Sequence, residues 1–162
     1  MGGKRTFSLY ARSMIELLFQ LQQDEDGWPP VAVEGLWCEP LNGHYRLQTC
    51  PLFVKRLSIG DLLAVELDAH EEVHEFKVVE PSANTTVWIM FWDESVLENT
   101  LEQLRLIKCD TTGPLTGMET SHCSVNVGAH IDMSDVDEIL QPLEGAEQIA
   151  VAYPSYRHPD DD

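Results

Sequence analysis

The spacing of apolar residues changes near Thr85, and this change constrains the fold more than any other feature of the sequence. Before it, short apolar segments are separated by turn residues, which is typical of antiparallel sheets. After it, strand-like and helix-like segments alternate. A chain of 162 residues is long enough for one domain or two small lobes. We therefore predict an α+β protein with lobes at residues 14–82 and 83–156.

The first lobe is predicted to be a small antiparallel β-barrel-like lobe. A strand at 14–21 leads into a loop that ends in two prolines, and Asn42-Gly43 supplies the positive φ angles of a tight hairpin. Apolar residues at period two, in 63–67 and again in 76–78, flank an acidic tip and predict a second hairpin. Several short strands joined by turns favour a strongly curved sheet or barrel.

The second lobe has the order β-α-β-β-α-β, which predicts a ferredoxin-like fold. Asp93 or Ser95 can cap the first helix, and Asp132 or Ser134 the second, because short polar side chains accept the free N–H groups of a first turn. The strand segments are 86–92, 108–110, 122–127 and 148–153, with loop residues at 111–117. The four tryptophans are predicted to be core or packing residues: Trp28, Trp37, Trp88 and Trp92.

Both ends of the chain are predicted to lie outside the lobes. Residues 1–13 contain Lys4, Arg5 and Arg12 and are interpreted as a flexible extension. Residues 157–162 end in three aspartates and are interpreted as an acidic tail.

Acidic residues outnumber basic residues by 28 to 10, for a formal charge of −18. The lobes share this excess almost equally, with −9 in residues 14–82 and −10 in residues 83–156. Such a field repels nucleic acid and anionic membrane and attracts basic proteins. Solubility explains distributed acidity equally well. The charge therefore argues against nucleic acid and anionic membrane as partners, but it does not identify a protein partner.

Four scattered cysteines, Cys38, Cys50, Cys109 and Cys123, lack the Cys-x-x-Cys spacing of zinc ribbons and dithiol enzymes. No convincing signal segment is present, and no run reaches the roughly 18 to 20 apolar residues of a membrane-spanning helix. We predict a reduced cytoplasmic protein with no membrane partner. No glycine-rich phosphate loop or dinucleotide fingerprint occurs, so no cofactor is predicted.

The segment His70-Glu71-Glu72-Val73-His74 matches H-E-x-x-H, in which two imidazoles bind zinc and the glutamate activates water. Glu94 could serve as a third ligand. The motif works only on a helix, where positions i and i+4 share a face. The flanking apolar residues fit a helical stripe or two strands, and we interpret the segment as a solvated hairpin tip. A zinc-dependent hydrolase remains an alternative, and no catalytic or metal residue is predicted.

A group of short motifs resembles the bacterial domain-of-unknown-function family numbered 4265. The residues that carry the resemblance are 24–31, 33–41, 45–47, 51–53, 58–61, 78–80, 86–89 and 91–94. The resemblance implies a small cytoplasmic bacterial protein without an established set of catalytic residues. It also implies a variable hairpin between Asp61 and Val78. Some members of the family are suspected immunity proteins that act beside secreted toxins.

Charge and resemblance together predict an immunity protein that neutralises a cognate secreted antibacterial toxin by covering its basic surface. It is predicted to act without enzymatic activity. The candidate contacts are the carboxylates with the highest local density: Asp132, Asp135, Asp137 and Glu138 on the second helix, and Glu71, Glu72 and Glu75 at the hairpin tip. A small-molecule-binding regulatory module on the second lobe is a further alternative.

Overall fold

The computed structural model describes residues 6–9, 12–115 and 120–159. Contacts divide the chain between Ser82 and Ala83 into two compact units. Within the described residues, the first unit holds the strands β1 (Thr6–Leu9), β2 (Arg12–Gln20), β3 (Val33–Leu41), β4 (His44–Leu47), β5 (Leu62–Leu67) and β6 (Val73–Glu80).

These strands form one sheet in sequence order, and consecutive strands pair antiparallel. The sheet curls until β2 and β6 meet through a parallel pairing of Phe19 with Val73. The result is ring-like but not a barrel. Its buried side chains are Leu17, Phe19, Leu36, Cys38, Leu47, Val54, Leu57, Leu63 and Val73. The predicted small antiparallel lobe and both of its hairpins are confirmed, apart from the incomplete closure of the ring.

The second unit contains β7 (Thr85–Phe91), α1 (Leu97–Leu106), β8 (Asp110–Leu115), β9 (Ser121–Val127), α2 (Met133–Gly145) and β10 (Ile149–Ser155). Its strands lie in the order β10-β7-β9-β8 and are all antiparallel to their neighbours. Apolar residues of α1 and α2 share one hydrophobic cluster with β7, β9 and β10. This arrangement confirms the predicted β-α-β-β-α-β order.

Aspartate caps begin both helical segments. The Oδ1 atom of Asp93 accepts the N–H of Ser95 at 2.9 Å, at the start of a 3-10 turn (Glu94–Val96) that leads into α1. Asp132 accepts the N–H of Ser134 at 3.0 Å before α2. These bonds lower the pKa of both carboxyl groups, that of Asp93 mainly through the Ser95 hydroxyl and that of Asp132 mainly through the Ser134 amide. The 3-10 turn that leads into α1, and α2 itself, therefore each begin directly after a predicted capping residue.

Two local predictions were wrong. β8, which spans Asp110–Leu115, is found in place of the predicted strand 108–110 and of the predicted loop as far as residue 115; residues 116 and 117 of that loop lie outside the described residues. An edge strand tolerates Gly113 and Pro114 because only one of its sides must supply ladder hydrogen bonds. Trp92 is not a core residue: it follows the last residue of β7 and is 59% exposed.

The predicted chain ends differ in part from the structure. Thr6–Leu9, inside the predicted flexible extension, pairs with β2, while Lys4 and Arg5 lie outside the described residues. Near the other end, the amide of Arg157 and the Nδ1 atom of His158 contact the Thr85 hydroxyl at 2.8 and 2.6 Å. Asp160–Asp162 of the predicted acidic tail also lie outside the described residues. No helix in the described ranges is long and apolar enough to cross a membrane.

Candidate functional site

The H-E-x-x-H segment lies at the turn between β5 and β6. Asp68 closes this turn, because its Oδ1 atom accepts the amides of His70 at 2.8 Å and Glu72 at 3.0 Å. The amide of Glu72 is the first of several hydrogen bonds that lower the pKa of the Asp68 carboxyl. Glu71 adopts a φ of 60°, which tightens the turn. The predicted hairpin tip is therefore confirmed, and the helical spacing that the zinc motif requires is not present.

The two imidazoles of the motif occupy different backbone environments. His70 is exposed in the turn, whereas His74 is exposed on β6, with its Nε2 atom 3.9 Å from Oε2 of Glu66. Glu94, the suggested third ligand, accepts a hydrogen bond from the Ser121 hydroxyl at 2.7 Å in the second unit. Within the described residues, no three His, Cys, Asp or Glu side chains are grouped so that they could hold a metal ion.

The three candidate carboxylates at the hairpin differ in exposure. Glu71 and Glu75 are exposed, and Glu72 is half-buried. The Oε1 atom of Glu72 accepts a hydrogen bond from Gln20 Nε2 at 3.1 Å, and the same nitrogen lies 2.5 Å from Oδ2 of Asp68. Gln20 therefore ties the tip to the end of β2, and Glu71 and Glu75 are the carboxylates presented to solvent.

The four candidate carboxylates near α2 separate into three positions. Asp132 is the exposed N-cap. Asp137 approaches Tyr153 on β10. Burial, followed by the charge of Asp137, raises the pKa of the Tyr153 hydroxyl. Asp135 and Glu138 are exposed and line the depression between α1 and α2. Only these last two contribute to one concave surface.

That depression consists of two contiguous cavities of about 330 and 380 Å³, which share Gln103, Glu138 and Ile139. We call it the α1–α2 groove, bounded by residues 95–107 of the first helical segment and 135–143 of α2. The acidic residues of this groove are evident from the sequence, whereas the contribution of its apolar residues is evident only from the structure. One of these apolar residues is Leu106, which is 71% exposed on α1.

The four cysteines are free thiols and all are buried. Burial raises the pKa of Cys38 to about 12 and is the main cause that raises the pKa values of Cys109 and Cys123 to about 11. A thiol acts as a nucleophile or metal ligand only after it loses its proton. These three thiols are therefore poorly suited to nucleophilic or redox catalysis.

A smaller cavity of about 250 Å³ lies where β9 leads into α2. Its lining includes His130, Asp132 and His158. The Nε2 atom of His158 lies 3.0 Å from the carbonyl oxygen of Gly128, and its Nδ1 atom contacts Thr85. Both ring nitrogens thus have protein contacts, so the His158 ring fixes the local chain rather than facing the cavity with a free nitrogen.

A protein family described as a domain of unknown function, DUF4265, matches residues 34–151. The chain belongs to the DUF4265 family. Its fold is similar to that of a hypothetical protein from Neisseria gonorrhoeae, whose crystal structure aligns with a TM-score of 0.69 at 20% identity. The alignment covers 94% of this chain and 100% of the other, and shows a shared fold. No curated protein matches the chain.

The DUF4265 match locates the candidate surfaces within the family region. It begins at Glu34 on β3 and includes the β5–β6 hairpin and both helices. The motif at residues 24–31, which contributed to the predicted resemblance, lies before the matched range. The α1–α2 groove is therefore built entirely from the DUF4265 region, and so is the hairpin tip.

Proposed function

We propose that the protein is an immunity protein that binds a cognate secreted antibacterial toxin in the bacterial cytoplasm and covers its basic active-site or substrate-binding surface. The observation that carries this proposal is the placement of carboxylates on the surface of both units. Asp132, Asp135 and Glu138 are exposed in the second unit, and Glu71 and Glu75 in the first. A formal charge of −18 accompanies them.

The physical basis is electrostatic complementarity. Proteins that act on nucleic acids or nucleotides commonly carry cationic clefts, because their substrates carry phosphate charge. A folded acidic partner accelerates encounter with such a cleft, and buried apolar contacts then slow dissociation. The same charge opposes binding of nucleic acid or anionic membrane to this protein. Four buried free thiols are compatible with action in a reducing cytoplasm.

Binding, rather than catalysis, is the mechanism that the site chemistry supports. The H-E-x-x-H residues lie on a hairpin, and the raised thiol pKa values disfavour a cysteine nucleophile. The carboxylates with lowered pKa values, Asp68, Asp93 and Asp132, all accept hydrogen bonds in turns or helix caps. The ionised forms of these three carboxylates therefore stabilise local structure. In the proposed mechanism, the protein neutralises the toxin by occupying its surface.

Co-expression with the protein encoded by the adjacent reading frame tests this proposal. We expect the neighbour to stop growth when produced alone, and growth to be restored when both proteins are made. The two proteins should also co-elute as a complex in size-exclusion chromatography. An unrelated acidic protein of similar size is the control for general charge effects. The proposal is contradicted if this protein neither restores growth against any adjacent secreted protein nor forms a complex with one.

A further inference from the structure

The α1–α2 groove has the properties of a docking surface on the helical face of the second unit. Resting on the proposed function, we infer that this groove is where the toxin binds, and that its occupant is a basic amphipathic helix of the toxin. The inference is supported by the apolar floor, the acidic α2 wall and the lengths of the two helices that bound the groove.

The floor of the groove is apolar and incompletely covered. Val96, Ile107, Ile139 and Leu143 pack against the core of the unit, yet each remains half-buried. Leu106 extends this apolar surface with a side chain that is 71% exposed. Removing such area from water on binding contributes about 25 cal/mol for each Å². An amphipathic partner can therefore gain affinity from this floor.

The helical segments that bound the groove carry a strong excess of negative charge. The segments Glu94–Leu106 and Met133–Gly145 together contain seven carboxylates and one guanidinium, that of Arg105. The Nε atom of Arg105 donates a hydrogen bond to the Thr111 hydroxyl on β8 at 2.9 Å. The charged residues that line the groove, Asp135 and Glu138, are both acidic. Charge complementarity thus selects a basic occupant and disfavours a second copy of this acidic chain.

Pro142 interrupts the hydrogen-bond ladder of α2 beside the groove. Pro142 lies inside α2 and has no amide hydrogen, so the helical hydrogen bond from position 142 to the carbonyl of Glu138 cannot form. Glu138 and Pro142 both line the groove. A lysine or arginine of the occupant can donate hydrogen bonds to the exposed carboxylate of Glu138, since both side chains carry several N–H donors and no acceptor.

The two helices that bound the groove are long enough to flank a short third helix. At 1.5 Å per residue, the ten residues of α1 span about 15 Å and the thirteen residues of α2 about 20 Å. A third helix of three to four turns matches this length, and ridges of side chains pack into such inter-helix grooves. The occupant would place apolar residues at positions i, i+3, i+4 and i+7, with basic residues beside them.

The first test measures the affinity of groove variants for the protein encoded next to this one by isothermal titration calorimetry. We expect Leu106→Gln, which removes exposed apolar surface, and Glu138→Lys, which reverses a wall charge, each to weaken binding by about tenfold or more. Glu144→Lys is the matched control, because Glu144 is exposed on α2 but does not line either cavity. It should change the dissociation constant by less than about threefold.

The outcomes separate this inference from the proposed function. If the wild-type protein binds its neighbour and both groove variants bind as tightly, the groove inference is wrong and the immunity function stands. If the wild-type protein does not bind its neighbour, the proposed function fails. A peptide probe then tests whether the groove binds a basic amphipathic helix. All three substitutions change exposed side chains, so unchanged thermal unfolding should accompany them.

The peptide probe is a synthetic helix of about 14 residues with leucine at helical spacing and lysine elsewhere. We expect amide chemical-shift changes confined to residues 95–107 and 135–143, and affinity about tenfold lower for Leu106→Gln. A peptide of the same composition with its spacing scrambled is the control for charge alone. Equal binding of the two peptides, or shift changes outside these helices, would overturn the inference.

Discussion

Glu34→Ala is expected to destabilise the first unit by roughly 3 kcal/mol or more, because one carboxylate holds three consecutive backbone amides there. The Oε2 atom of Glu34 accepts the amide of Leu52 at 2.6 Å, and Oε1 accepts those of Phe53 and Val54 at 3.0 Å. These bonds connect β3 to a segment 18 to 20 residues later in the chain. Val54 is part of the buried cluster, so loss of the carboxylate also loosens the core.

A graded series of substitutions tests this role. Glu34→Gln keeps one acceptor oxygen and loses the other, so its free energy of unfolding should lie between those of the wild type and Glu34→Ala. Glu80→Ala removes an exposed carboxylate from β6 and should change the free energy by less than about 0.5 kcal/mol. Urea unfolding, with hydrogen exchange of the Leu52, Phe53 and Val54 amides, provides the measurement. Equal stability of Glu34→Ala and Glu80→Ala would contradict the anchoring role.

The Glu34 variants also test how the free energy of unfolding depends on pH. Burial raises the pKa of the Glu34 carboxyl, against the lowering effect of the three amides. The folded state therefore binds this proton more tightly than the unfolded state, and the contribution of Glu34 to stability falls as pH rises through its raised pKa. Glu34→Gln lacks this titration, so its unfolding free energy should fall less over that pH range.

Phe91→Ala is expected to cost the second unit about 3 to 5 kcal/mol, the usual range for removal of a buried phenylalanine. The ring of Phe91 is fully buried, at the point where β7 pairs with β9 and β10. Trp92→Ala is a matched control because Trp92 is the next residue, also aromatic, and 59% exposed. It should cost less than about 1 kcal/mol. Urea unfolding monitored by circular dichroism gives both values, and a similar loss for the two variants would contradict the assigned core.

The order of the second unit could be predicted because its signals are local. Asp93 and Asp132 act as caps within two residues of the amides that they bind, and apolar spacing distinguishes helices from strands over short windows. β8 could not be predicted in the same way. Gly113 and Pro114 are turn residues by composition, and only the position of β8 at the edge of the sheet makes a strand possible there.

The candidate site was only partly predictable for a related reason. Asp135 and Glu138 were identified from the density of carboxylates along α2, which is visible in the sequence. The groove that they line depends on how α1 and α2 pack, so the association of Leu106 with Ile139 has no signal in either helix alone. Glu34 was missed because its partners follow 18 or more residues later and offer backbone amides, which every non-proline residue carries.

These contacts divide the acidic residues into two groups, one with a role in local structure and one with a role in association. Glu34 anchors a loop, Asp68 closes a hairpin, and Asp93 and Asp132 cap helical segments. Asp135 and Glu138 make the α2 wall of the groove acidic, and Glu71 and Glu75 are exposed at the hairpin. Substitution of the first group should alter stability, whereas substitution of the second should alter association with a basic partner. Net charge alone does not distinguish these two roles.

Titration of the toxic activity of the neighbouring protein with this purified protein tests the central claim most directly. Neutralisation by occupancy predicts that inhibition is complete at one molar equivalent and is unchanged by prior chelation or by His74→Ala. Inactivation by far less than one equivalent, lost after chelation or in His74→Ala, would instead support the zinc-dependent hydrolase and contradict the binding mechanism. Full toxic activity in the presence of excess protein would contradict the immunity function itself.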